Sequence, residues 1–176
     1  MDPHLKKLQQ EIAASVEGLS AEQLNWHRPG KWNIVEILEH LYLTYTGTLK
    51  GLSRSLASGA PPILKPTLKD RLQCLVVLGL GYLPAGREAP QFARPKGLSP
   101  ETVMAGIRGK IAEMDEALTR YAAQFGAHSK VLNHLYLGPF SIDQWRRFHL
   151  VHGRHHLKQI RRLRSEIRNP RKQDET

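Results

Sequence analysis

Cysteine is nearly missing from this chain of 176 residues, where Cys74 stands alone. A single thiol builds neither an intrachain disulfide framework nor a multi-cysteine metal site, and its scarcity points to a reducing compartment. No run of about 18 apolar residues occurs, so no membrane span is expected. The opening stretch MDPHLKKLQQEIAASV is polar and periodic, which predicts no signal peptide and hence a cytoplasmic protein. The alternation of a half-buried strand is not found, nor is a repeat of fixed period. Acidic residues are the other scarcity: 16 against 26 lysines and arginines, a formal charge of +10. Such an excess invites a nucleic-acid partner. Much of it falls in residues 146 to 172, however, and reads as the solvated face of one helix with a basic tail. No zinc-finger spacing, recognition-helix motif or aromatic interleaving accompanies it, so nucleic acid is not an expected partner.

What the sequence has is helical periodicity. A chain of this length buries a core without staples and reads as one domain over residues 1–176, with 169–176 as a flexible basic tail. Asp2-Pro3 opens a first helix carrying Leu5, Leu8, Ile12, Val16 and Leu19 at helical spacing. Asn33 and Glu36 form a capping box for a second, with Trp32 and Ile37 placed as its hydrophobic staple. Its apolar stripe runs from Ile34 to Leu56, and the prolines of residues 57–66 end it. A third helix is predicted over 67–82, nearly all apolar and therefore buried on several sides, with Cys74 as a buried thiol. Residues 84–98 read as an irregular loop. Ser99-Pro100 starts a fourth helix and Gly126 stops it. The segment AHSKVLNHLYLGP then connects to a last helix, which Ser141 and Gln144 cap and which runs to Asn169-Pro170. The expected architecture is all-α: a four-helix bundle with an additional short helix and long connecting loops.

The last helix contains VHGRHHLKQI, with His152, His155 and His156 inside five positions and His149 just upstream. At about 100° per residue, His152 lies at the centre of a stripe built from Trp145, Ile160, Leu163 and Ile167. His156 falls on the same face, one turn on, whereas His155 points to the opposite flank. Histidines four apart on one helix face can share a metal ion. The pair His149 and His152, three apart, is an alternative. Two ligands leave a site unfinished, and His40 in the second helix is the best candidate for a third. It lies on a small, polar flank with Asn33, Glu36, Thr44, Gly47 and Gly51 that would let another helix approach. His4, His27 and His128 read as solvent-facing. Tyr42 and Tyr45 read as packing residues.

Two segments carry a resemblance. KWNIVEILEHLYLTYTGTLKGL resembles the helix of DinB-like proteins that follows a tryptophan and bears the first metal histidine. HLYLGPFSIDQWRRFHLVHGRHHLKQI resembles their C-terminal region, where a glycine-containing turn leads into HxxxH. The resemblance, to the damage-inducible (DinB-like) superfamily, implies a four-helix bundle with a metal in an open pocket. It implies that His40, His152 and His156 are the ligands of a divalent ion, zinc or nickel, with positions left for water or substrate. It also implies a relation to thiol-dependent S-transferases and hence a low-molecular-weight thiol as cosubstrate.

On this reading the chain is a metal-dependent enzyme, a transferase or hydrolase, acting on a small-molecule substrate through an activated water or thiol. Glu36, one turn before His40, is placed to orient it, and Gln159, one turn after His156, to position a ligand. His134 is left out of the metal set, with a role beside the pocket open to it and to His149. A homodimer is an expected assembly. The competing reading is a non-enzymatic basic bundle that binds nucleic acid or a protein partner.

Overall fold

The computed structural model describes residues 1–59, 65–84, 86 and 88–169. The proposed basic tail beyond Asn169 and part of the proline-rich break after α3 lie outside the described residues. Six α-helices are present among them: α1 (Pro3–Val16), α2 (Ala21–Asn25), α3 (Ile34–Ala57), α4 (Leu68–Cys74), α5 (Pro100–Phe125) and α6 (Ile142–Arg168). A π-helical turn, Leu75–Gly79, continues α4, and a 3-10 turn spans Gln91–Ala93. None of the described helices is long and apolar enough to cross a membrane.

The long helices α1, α3, α5 and α6 form the four-helix bundle. In it α3 packs along α5 and α1 along α6, while α3 meets α6 and α1 meets α5 at the other two seams. Their starts are the ones the caps predict. The Asp2 carboxylate accepts the His4 and Leu5 amides, and Asn33 and Glu36 bond each other's backbone at 2.8 Å. Ser141 and Gln144 do the same for α6. The predicted apolar stripes meet in one core that contains Leu5, Leu8, Leu38, Tyr45, Ile111 and Leu118, all at 0–1 % exposure. Removing such side chains from water contributes about 1.5–3 kcal/mol each. Gly153 lets α6 lie against α1, because any Cβ there would overlap the Leu8 side chain.

Four expectations need correction. The short helix α2 was not anticipated, although Ser20 and Gln23 form a full capping box. The connection expected to be strandless folds as a hairpin, β1 (Lys130–His134) antiparallel to β2 (Gly138–Ser141), with Leu132 opposite Phe140. Four or five residues per strand are too short for alternation to register, and tertiary packing of Val131 and Phe140 on the bundle decides the matter. The apolar third helix is shorter than predicted and mostly uncovered. Gly79 and Gly81, the latter at φ +67°, end it. Leu68, Leu72, Leu75 and Leu80 are 63–84 % exposed, and only Val77 and Leu78 are buried. Cys74 is consequently half-buried, and its thiol donates to the Leu137 carbonyl at 3.4 Å.

The arginines of α6 also do more than coat a solvated face. Arg154 forms a two-pronged pair with Glu11, at 2.7 and 2.9 Å. Arg164 donates to the last carbonyls of α1, those of Ala14, Ser15 and Glu17. Arg146 bonds Asp115 and Thr119 on α5. Part of the positive excess is thus spent on fastening α6 to its neighbours.

Candidate metal centre

α3 and α6 bring His40, His152 and His156 together. Each offers a ring nitrogen, and the three atoms lie within 4.8 Å of one another. The Nε2 atom of His152 is 3.3 Å from that of His40 and 3.1 Å from that of His156. Two ligands of a tetrahedral ion with metal–nitrogen bonds of about 2.0–2.1 Å are separated by about 3.3 Å. The three residues are 4, 8 and 7 % exposed in chain order.

The second nitrogens explain why Nε2 points inward. His40 Nδ1 lies 2.7 Å from the Ala93 carbonyl oxygen, which can only accept, so Nδ1 carries the proton and Nε2 a lone pair. His156 Nδ1 is 2.9 Å from Gln159 Oε1, with the same consequence. Burial first, then the neighbouring rings, holds the three imidazoles neutral. His156 is pushed down to about 3, His152 well below its ordinary value, and His40 is lowered despite its carbonyl partner. Neutral rings with converging lone pairs are the donor set a divalent ion takes, and their side-chain chemistry fits one.

Aromatic rings wall the cluster. Trp32 leans on His40 with ring centroids 5.3 Å apart, and Phe148 stacks on His152 at 5.4 Å and 11°. The tryptophan predicted as a helix staple therefore stands beside the site. The cluster opens into a cleft of about 1820 Å³ between α3 and α6, walled by residues of the 88–96 segment and by the hairpin. Gly47 and Gly51 do not admit a helix, as the flank pattern suggested. Phe92 and Leu132 lie over them instead.

The remaining candidates sort clearly. Glu36 does not orient His40. Its carboxylate is committed to the Asn33 amide, and the Ala93 carbonyl takes the orienting role. Gln159 holds a histidine. His155 is half-buried on the cleft wall and outside the converging trio. His134, on β1, accepts the Tyr136 amide and packs among Phe140, Trp145 and Phe148, where burial lowers it to about 4. His149 is fully buried between Tyr45 and Trp145, lowered to about 3, and has no hydrogen-bond partner among the described residues. His4, His27 and His128 are exposed.

Sequence reasoning missed Ala93 and Glu39. No side-chain pattern announces a backbone carbonyl. Glu39 did leave a signal: it shares the helical phase of buried Val35, four residues earlier, and is itself 0 % exposed.

A helical bundle with three inward histidines on two facing helices is a chemical class rather than an activity. The family is defined by comparison: the model of the DinB superfamily matches residues 4–160, and the chain belongs to that superfamily. No curated protein and no solved structure matches it.

Proposed function

We propose that the protein binds one divalent metal ion through His40, His152 and His156 and uses it in an enzymatic reaction on a small molecule. The observation that carries this reading is the convergence of three Nε2 atoms whose rings are neutral, two of them oriented by partners on their far side. Zinc or nickel suits an all-imidazole set. A divalent ion held there would act as a Lewis acid and lower the pKa of a bound water or thiol.

The chain's own residues supply the rest. Ala93 and Gln159 hold two ligand rings in register, while Trp32 and Phe148 keep solvent from the cluster's sides. The cleft favours an anionic substrate or cosubstrate. Seven lysines and arginines line it against three glutamates. Arg28 and Arg94 pair with Glu166 and Glu88, but Lys31, Lys50, Arg54, Lys96 and Arg162 make no ion pair among the described residues. A low-molecular-weight thiol bearing carboxylates would meet these cations. Its thiolate or a water would attack an electrophilic carbon of the substrate and displace that carbon's leaving group, which departs with the proton given up by the thiol or water. S-transfer or hydrolysis is accordingly the proposed reaction type, in a cytoplasmic protein that assembles as a homodimer. No observation on the basic surface favours the nucleic-acid reading over this one.

Elemental analysis of untagged protein tests the site and should find about one divalent ion per chain. His152→Ala should weaken binding by more than about 100-fold, the upper range for losing mere supporting contacts. His155→Ala should leave it within a factor of a few. Equal losses from both variants would refute the assignment. Metal-loaded protein incubated with thiols and electrophiles then separates transfer from hydrolysis.

A further inference from the structure

Beside His40 on α3 is a buried carboxylate that the ligand geometry does not use. Glu39 is 0 % exposed and, among the described residues, touches no cation at ion-pair distance. Its Oε1 accepts the Lys96 amide at 2.7 Å, and its Oε2 accepts the amides of Gly97 and Leu98, each at 3.1 Å. Three consecutive backbone N–H groups on one carboxylate form a charge-assisted clamp. The clamped turn begins three residues after Ala93, whose carbonyl orients His40. The 3-10 turn closes the short span from the other side, with the Ala93 amide on the Pro90 carbonyl at 2.9 Å. The same segment, from Pro90 to Lys96, walls the cleft. Adjacent residues of α3 therefore grip one loop at two points: Glu39 by its amides, His40 by a carbonyl.

We propose that Glu39 is a positioning residue: it latches residues 93–98 onto α3 and thereby couples metal coordination at His40 to the wall of the substrate cleft. The proposal rests on the metal reading above. With the latch open, the Ala93 carbonyl leaves His40, and its ring loses the partner that fixes tautomer and orientation. Outer partners of ligating histidines typically carry about 10–100-fold in metal affinity. Coupling is reciprocal, so metal binding closes the loop by the factor by which the closed loop tightens metal binding.

Cobalt(II) is the probe, added to the full-length protein. Glu39→Gln should weaken cobalt binding about 10-fold or more and shift the visible absorption of the bound ion. Lys96→Pro leaves Glu39 intact and removes one of its three donors, so it should shift affinity the same way by a smaller factor. Asp115→Asn is the structural control: it breaks a buried carboxylate's bonds to Arg146 and should lower the melting temperature without altering cobalt affinity or spectrum. Trypsin supplies a readout without metal. The Lys96–Gly97 bond contains the clamped Gly97 amide, and its cleavage should accelerate in Glu39→Gln. Saturating cobalt should slow that cleavage in the unmodified protein, at most by the factor by which the closed loop tightens metal binding. If the unmodified protein binds cobalt and both loop variants bind it as tightly, with the same spectrum, the latch is refuted and the metal site stands. If the unmodified protein binds neither cobalt nor zinc, the metal reading falls and the proposed coupling falls with it.

Discussion

The two faces of α6 are built on opposite principles. Towards α1, Gly153 admits the Leu8 side chain, Arg154 grips Glu11, and Arg164 caps the final carbonyls of α1. Every strong polar group named on that seam has a partner. Towards α3, the same helix presents His149, His152 and His156, whose buried nitrogens, apart from His156 Nδ1 on Gln159, face other imidazoles or have no partner among the described residues. Burying imidazoles without protein partners costs free energy. One seam therefore holds the bundle together, and the other carries a load that the bundle must tolerate. A metal ion bound by the three converging rings would remove part of that load, because a ligand of the native state alone stabilises it.

Acid should expose the contrast most strongly. His134, His149 and His156 are lowered to about 4, 3 and 3 by burial, from an ordinary value near 6.5. A histidine depressed on folding takes up its proton in the unfolded chain first. Its stability contribution is whole above about pH 6.5 and is lost as pH falls towards the folded value. The slope is about 1.4 kcal/mol per pH unit for each such histidine. Metal-free protein should accordingly lose most of its stability between pH 6.5 and 4, seen as a falling urea midpoint. A flat profile over that range would mean that these rings are not buried neutral.

On the seam with α1, Gly153→Val should drive a side chain into Leu8 and cost about 2–3 kcal/mol in denaturant unfolding. Metal affinity per folded molecule should hardly change. On the histidine seam, His149→Leu should do the reverse. It removes two buried nitrogens that have no partner and is expected to raise stability by about 1 kcal/mol, read from the same unfolding curves. A loss instead would identify a bond that this imidazole makes. The smallest effect should come from Arg154→Ala. The pair with Glu11 is geometrically good but partly exposed, at 38 and 29 % for the two side chains, so screening limits its worth to about 0.5–1 kcal/mol. That loss should shrink further in high salt.

The site was more legible than some of the scaffold around it. The stripe through Trp145, His152 and Leu163 turns His152 and His156 inward from the sequence alone, because helical phase is a local property. Capping boxes placed the starts of α3 and α6 for the same reason. What went unread depended on distant chain segments. The hairpin exists because Val131 and Phe140 find the bundle, and its strands are too short to declare themselves. The apolar run after Thr67 reads as a buried helix, yet it lies over the cleft with several leucines in the open. Composition reports how much apolar surface a helix has and says nothing about whether neighbours cover it. The Ala93 carbonyl and the amides on Glu39 belong to the backbone of a proline-rich loop, which carries no side-chain signature of the contact.

The sequence by itself determined the elements: four long amphipathic helices, their caps, and the side of each helix on which His40, His152 and His156 lie. These follow from residue propensity and a turn of about 100° per position, which act within a few residues. Only the tertiary structure decided that those sides meet, which loop backbone orients the rings, and what charge surrounds them. Such choices join residues 53 positions apart, as for His40 and Ala93, or 112, as for His40 and His152, and they are set by packing that no local pattern encodes.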